Sequence, residues 1–155
     1  MPTMSDAQTA QILNELIQLN KDSAKGFKRA AAELRDVDAP DQADRLEALA
    51  EERAQMVDEL QRAVADLGEA PETGGTGPGA LKRGWLNIKA AMTIEHGKTK
   101  KVIVDDRLDQ EEAVLEAYND ALENNLPDSI DTLLGDQRTA INEHRERLAS
   151  IETTD

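Results

Sequence analysis

Four stretches of the chain place an apolar residue at alternating steps of three and four, and each of these stripes is broken near its middle by small or polar residues. They are Leu13-Ile17-Asn20-Ala24-Phe27-Ala31-Leu34, Leu46-Leu49-Arg53-Met56-Leu60-Ala63-Leu67, Val104-Leu108-Glu111-Leu115-Tyr118-Leu122 and Ile130-Leu134-Gln137-Ile141-His144-Leu148-Ile151. Apolar residues recurring at this spacing line one face of a 3.6-residue helix. Four such helices with facing stripes make an all-α four-helix bundle whose middle carries a polar layer.

The breakers agree with this division. All five prolines, Pro2, Pro40, Pro71, Pro78 and Pro127, fall outside the helix interiors. Ser5 and Gln8 have capping-box spacing, which starts the first helix between Ser5 and Thr9 and runs it to about Arg35. Asp41 is the expected cap of the second helix, which ends at Leu67 with Gly68 beyond it. Thr99 or Asp105 caps a third helix reaching Leu126, and Pro127 with Asp128 opens a fourth that runs to Ile151. The predicted organisation is an N-terminal tail over residues 1–8, one domain over 9–151 with a connector at 68–98, and a tail at 152–155.

Residues 69–79 hold two prolines and four glycines, too many breakers for regular structure. Leu81, Trp85, Ile88 and Met92 then recur at helical spacing and predict a short amphipathic helix anchored by Trp85. The long helices on either side of this connector are about 30 residues apart, whereas bundle loops usually span 2–8. That length permits a crossover along the bundle and predicts up-down-down-up connectivity, as in ferritin-like folds. Asn20 and Ala24, Glu52 and Arg53, Glu111, and Gln137 are then expected at similar depth.

Composition excludes several function classes. With no cysteine there is no disulfide, thiolate nucleophile or thiolate metal site. A metal would need carboxylate, imidazole or amide ligands. The net charge of −14 opposes a general nucleic-acid binder. No apolar run approaches the roughly 18 residues that span a bilayer, and residues 1–6 lack the basic start and apolar core of a leader, so a cytoplasmic location is expected. The basic residues Lys82, Arg83, Lys89, Lys98, Lys100 and Lys101 stand against only Glu95 in their segment. They form either an anion-binding module, centred on Lys82, Arg83 and Lys89, or a basic connector on an acidic bundle.

A carboxylate-bridged dimetal site needs a Glu from each of two helices and Glu-x-x-His from each of the others. The nearest fragments are Glu52-x-x-Gln55, Glu111 and Gln137-x-x-Ala140, with His144 two turns beyond Gln137. Glu52, Glu111, Gln137 and His144 are therefore the candidate ligands if iron or manganese binds. The alternative is that Glu111 pairs with Arg53 or Gln137 and fixes helix register, because a buried carboxylate must be paired or protonated. His144 would then pack near the bundle end, and His96 would lie exposed in the connector. The run Gly74-Gly75-Thr76-Gly77-Pro78-Gly79 fails as a phosphate loop, since Ala80 and Leu81 separate it from Lys82 and no strand precedes it. Ser23, Ser129 and Ser150 lack a nucleophile elbow.

Five groups of residues together carry a resemblance. They are Leu13–Ile17 with Lys21–Phe27, Leu49–Arg53 with Glu59-Leu60-Gln61, Lys82-Arg83-Gly84-Trp85 through Lys89, Glu111-Glu112 with Ala117-Tyr118, and Leu126-Pro127 with His144. In these the chain resembles the small bacterial ferritin-like four-helix proteins classed as a domain of unknown function. The resemblance covers nearly everything after Thr9, and Arg83-Gly84-Trp85 is its most specific part. It departs from the family pattern at Asp22-Ser23-Ala24 and at Gln110. It implies a ferritin-like bundle in a stress or stationary-phase setting, with no established reaction. The leading expectation is a non-enzymatic, cofactor-free bundle acting through a protein partner or as a homo-oligomer. The runner-up is an iron- or manganese-binding or oxygen-reactive protein.

Overall fold

A computed structural model describes residues 3–70 and 99–151, and among these the structure is entirely helical. Helix α1 spans Asp6–Asp36, α2 Pro40–Asp66, α3 Lys100–Leu122 and α4 Asp128–Ala149. The expected short helix at 81–92, with Trp85 and His96, lies outside the described residues, as does the basic run at Lys82, Arg83 and Lys89. No described helix is long and apolar enough to cross a membrane.

The helix ends follow local chemistry, with three departures from expectation. Ser5 caps α1 in a reciprocal box. Its Oγ accepts from the Gln8 backbone N–H at 3.2 Å, and Gln8 Oε1 accepts from the Ser5 backbone N–H at 3.1 Å. This box places residues 6–8 in the helix rather than in a tail. Helix α2 begins at Pro40 behind Ala39, which has no side-chain cap, so Asp41 lies within the first turn and favours the positive end of the helix dipole instead of capping it. Thr99 Oγ accepts from the Val102 N–H at 3.2 Å and caps α3. That helix stops at Leu122, four residues short of the expected Leu126, which is buried beyond its end.

α1 and α2 form a hairpin closed by residues 37–39. Asp38 occupies the left-handed region at φ 61°, its N–H donating to the Arg35 carbonyl at 3.1 Å while the Ala39 N–H donates to the Leu34 carbonyl at 2.8 Å. These are the paired bonds of a Schellman motif, and Gly68 at φ 79° repeats it at the end of α2. Cross-helix contacts set the remaining directions. Asn20 meets Tyr118 and Phe27 meets Arg107, so α3 runs antiparallel to α1. Arg53 meets His144 and Met56 meets Gln137, so α4 runs antiparallel to α2. α1 and α4 therefore point one way, and α2 and α3 the other.

Two apolar cores fill this bundle. One, toward the start of α1, gathers Leu13, Leu16, Ile17, Leu60, Val114 and Leu134; the other, toward the hairpin turn, gathers Phe27, Leu34, Leu46, Leu49, Val104 and Leu148. All seven residues of the expected α4 stripe are buried. Of the expected α3 stripe, Val104, Glu111 and Tyr118 are buried but Leu108, Leu115 and Leu122 only half-buried, whereas Ile103, Arg107, Val114, Ala117 and Ala121 also face inward. Small alanines let α3 lie close to its neighbours, so the larger leucines sit at its edges. On α1, Ser23 is buried and Ala24 only half-buried.

The cap assignments are separable by mutation. Ser5→Ala should lower the unfolding free energy by about 1 kcal/mol, while Asp41→Ala should change it by less than ~0.5 kcal/mol. Urea denaturation followed by circular dichroism measures both.

Candidate functional site

Between the two cores lies a layer of buried polar side chains: Asn20, Ser23, Arg53, Arg107, Glu111, Gln137 and His144. Its centre is Glu111, fully buried on α3. Arg53, also fully buried, reaches it from α2 in a two-pronged contact, with Nη1 3.3 Å from Oε2 and Nη2 on Oε1. Such a fork matches the planar carboxylate and fixes both partners. Arg107, one turn before Glu111 on the same helix, brings Nη2 to 3.6 Å from Oε2. Glu111 is therefore the register-setting partner of Arg53 rather than of Gln137.

Arg107 was hidden from the stripe pattern because a guanidinium in an inward position breaks the apolar signal. Its Nη1 donates to Gln110 Oε1, and its Cζ lies 4.2 Å from the Phe27 ring centroid, with the Arg53 Cζ at 5.6 Å from the same ring. Cations above an aromatic face are attracted by the ring quadrupole. Gly26 makes room for this arrangement, since a Cβ there would stand only 3.0 Å from the Arg107 Cζ. Burial, with Arg53 and Arg29 adding repulsion that Glu111 and Asp106 partly offset, pulls the Arg107 guanidinium down to about 10. Among the described residues the layer thus buries two guanidiniums against one carboxylate. Among the described residues, Arg53 Nε and Arg107 Nε and Nη2 have no hydrogen-bond acceptor.

A second hydrogen-bonded set runs beside the first. Asn20 Nδ2 donates to the Leu16 carbonyl at 2.9 Å and to the Tyr118 hydroxyl at 2.8 Å. Tyr118 in turn donates to Gln137 Oε1 at 2.7 Å. Gln137 Nε2 donates to the Met56 carbonyl at 3.2 Å and to Glu59 Oε1 at 3.1 Å. One chain of bonds therefore ties all four helices together. Burial raises the Tyr118 phenol well above its ordinary range and keeps it a neutral donor.

His144 belongs to this middle layer rather than to the bundle end. Its Nδ1 lies 3.4 Å from Arg53 Nη2 and its Nε2 lies 3.6 Å from Glu52 Oε1. Because a guanidinium only donates, Nδ1 must accept and the ring proton sits on Nε2, facing Glu52. Burial first, then the Arg53 charge, pulls the imidazole down to about 4 against the opposing pull of Glu52 and Glu111. Glu52 is part-exposed and takes a two-pronged contact from Arg147, with Nη2 2.7 Å from Oε2; that bond holds its carboxyl below the usual range.

The four candidate ligands are thereby divided. Glu52 and His144 adjoin each other, Glu111 faces two guanidiniums, and Gln137 belongs to the Tyr118 set. Among the described residues no three His, Asp or Glu side chains are grouped to hold a metal ion. A cation approaching Glu111 would meet two fixed positive charges first.

Removing the central carboxylate should be severe. Glu111→Gln should cost roughly 3–5 kcal/mol, because it leaves two buried guanidiniums uncompensated. Arg107→Met, which removes the excess charge and keeps the packing against Phe27, should cost less than half as much; chemical denaturation of the two variants compares them. His144 sets a pH dependence of defined sign. Its folded pKa lies below the unfolded value, so the unfolded chain binds the extra proton, and stability is complete above about pH 6.5 and declines as pH falls toward 4. His144→Gln should flatten the urea midpoint between about pH 7 and pH 5, a window above the range in which Glu52 titrates.

No curated protein matches the sequence. A family model described as domain of unknown function (DUF2383) matches residues 8–124, three-quarters of the chain, including α1, α2, α3 and both buried arginines with Glu111. The chain belongs to that family.

Proposed function

We propose that this protein is a non-enzymatic, ferritin-like helical bundle that acts through protein association, its own copies included, in a cytoplasmic and stress-related setting. The observation that carries the reading is the enclosure of Glu111. The one carboxylate fully buried in the described interior is matched by Arg53 and approached by Arg107, so its charge is used in holding α2 and α3 in register. A carboxylate so engaged is not poised as a base, a nucleophile or a ligand. Tyr118 and Gln137 are likewise held by each other and by Asn20. With the interior committed to internal pairing, the surface is left to act.

Sedimentation velocity over about a hundredfold concentration range should reveal reversible self-association. The melting temperature of chelator-stripped protein should not move with anaerobic Fe(II), Mn(II) or Zn(II). A bound ion at ~100 times its dissociation constant would add about 2.7 kcal/mol, a clearly visible shift. A saturable shift lost in Glu52→Gln would overturn the reading in favour of an iron- or manganese-binding protein. A monomer at every concentration would overturn the self-association.

A further inference from the structure

An opening that adjoins the polar layer lies between α2 and α4. It is a groove of about 380 Å³, floored by Met56, Ala140 and the His144 ring and rimmed by Glu52, which is bridged to Arg147, and by Asp58 and Glu59 against Arg62, the single lining cation among the described residues. Glu59 is tied by one bond to Gln137, and Asp58 and Gln55 stand exposed on the α2 lip. His144 is only 3% exposed, yet its Nε2–H, forced outward by Arg53 on the other side of the ring, finds no acceptor among the described residues closer than Glu52 at 3.6 Å. The groove therefore offers apolar contact below, acidic charge at the rim, and a buried donor that lacks a short hydrogen bond.

We infer that this groove receives the basic segment 82–98 of a second copy of the chain, in a reciprocal exchange that closes a two-fold dimer. The inference rests on the association proposed above and names its surface. The argument is charge complementarity. In a chain of net charge −14, this segment carries Lys82, Arg83, Lys89 and Lys98 against only Glu95, together with the apolar residues Leu86, Ile88 and Met92. Its lysines and arginine suit the acidic rim, and its apolar residues suit the Met56 and Ala140 floor. The chain's own connector leaves α2 with the Ala70 carbonyl accepting from Asn14 Nδ2 of α1 at 3.1 Å, whereas the groove lies on the α4 side of α2. A second copy supplies the segment without that constraint. Exchange of identical elements across a two-fold axis satisfies both grooves at once and leaves none open to propagate.

The test uses the full chain and two variants altered only at charged or exposed positions. Gln55→Lys/Asp58→Lys reverses the groove lip, and Arg83→Glu/Lys89→Glu reverses the segment. By sedimentation equilibrium each variant alone should dimerise at least tenfold more weakly than the unaltered chain. An equimolar mixture should recover dimers, because each copy then meets a complementary charge at both grooves. Raising the salt from about 50 to 300 mM should weaken the unaltered dimer, since exposed charges are screened. Self-association unchanged in both variants, or weakened without recovery on mixing, would overturn the groove assignment while leaving self-association standing. A monomeric unaltered chain would overturn both. Monomers whose thermal stability, rather than mass, responds to the charge reversals would show that the segment docks within its own chain, which also overturns the exchange.

Discussion

The pairing of Arg53 with Glu111 is the constraint on which the rest of the bundle depends. A carboxylate and a guanidinium removed from water each cost several kcal/mol in solvation, and only close, correctly oriented contact offsets this. Apolar stripes alone would tolerate sliding or rotation of one helix against another, since leucine in one slot resembles leucine in the next. A forked ion pair does not. It holds α2 and α3, which join no common hairpin, at one depth and one rotation. The Asn20–Tyr118–Gln137 bonds extend the restraint to α1 and α4.

The layer is not electrically balanced, and the compensation is of an unusual kind. Among the described residues two arginines face one glutamate, and the surplus is met by the face of Phe27 and by the dipole of Gln110 rather than by a second carboxylate. Gly26 belongs to this solution because it clears the space that the Arg107 guanidinium fills. Adjacent Gly26 and Phe27 thus perform different halves of one task. His144 completes the surroundings as a neutral ring, accepting from Arg53 on one side and presenting its proton toward Glu52 on the other.

Much of this was legible in the sequence, because a helix buries one face and the period of that face survives in the residue order. The α4 stripe, the Ser5–Gln8 box and the Gly68 stop can all be read from spacing and residue type, and the need of Glu111 for a partner can be read too, though not the choice of Arg53 over Gln137. Arg107 was not legible, since a charged residue is ordinarily read as solvent-facing and its burial depends on Phe27 and Gly26 from another helix. The α3 stripe was legible at Val104, Glu111 and Tyr118 but misread at its three leucines for a related reason. Spacing favours the largest apolar residues, but close approach between helices selected alanines for the interior and moved leucines outward. Asp41 illustrates a third limit: an acidic residue behind proline has the composition of a cap, while the position was already fixed by the turn at Asp38.

That turn also bears on how the chain folds. Residues 37–39 close α1 on α2 with little loop entropy, and the slightly longer passage from Leu122 to Asp128 closes α3 on α4. Each hairpin is assembled from contacts near in sequence, the kind that form fast. The ion pair, by contrast, joins residues 58 positions apart and belongs to neither hairpin alone. Its long sequence separation makes it one of the costlier contacts to close, so the polar layer ties the two hairpins to each other rather than stabilising either one alone.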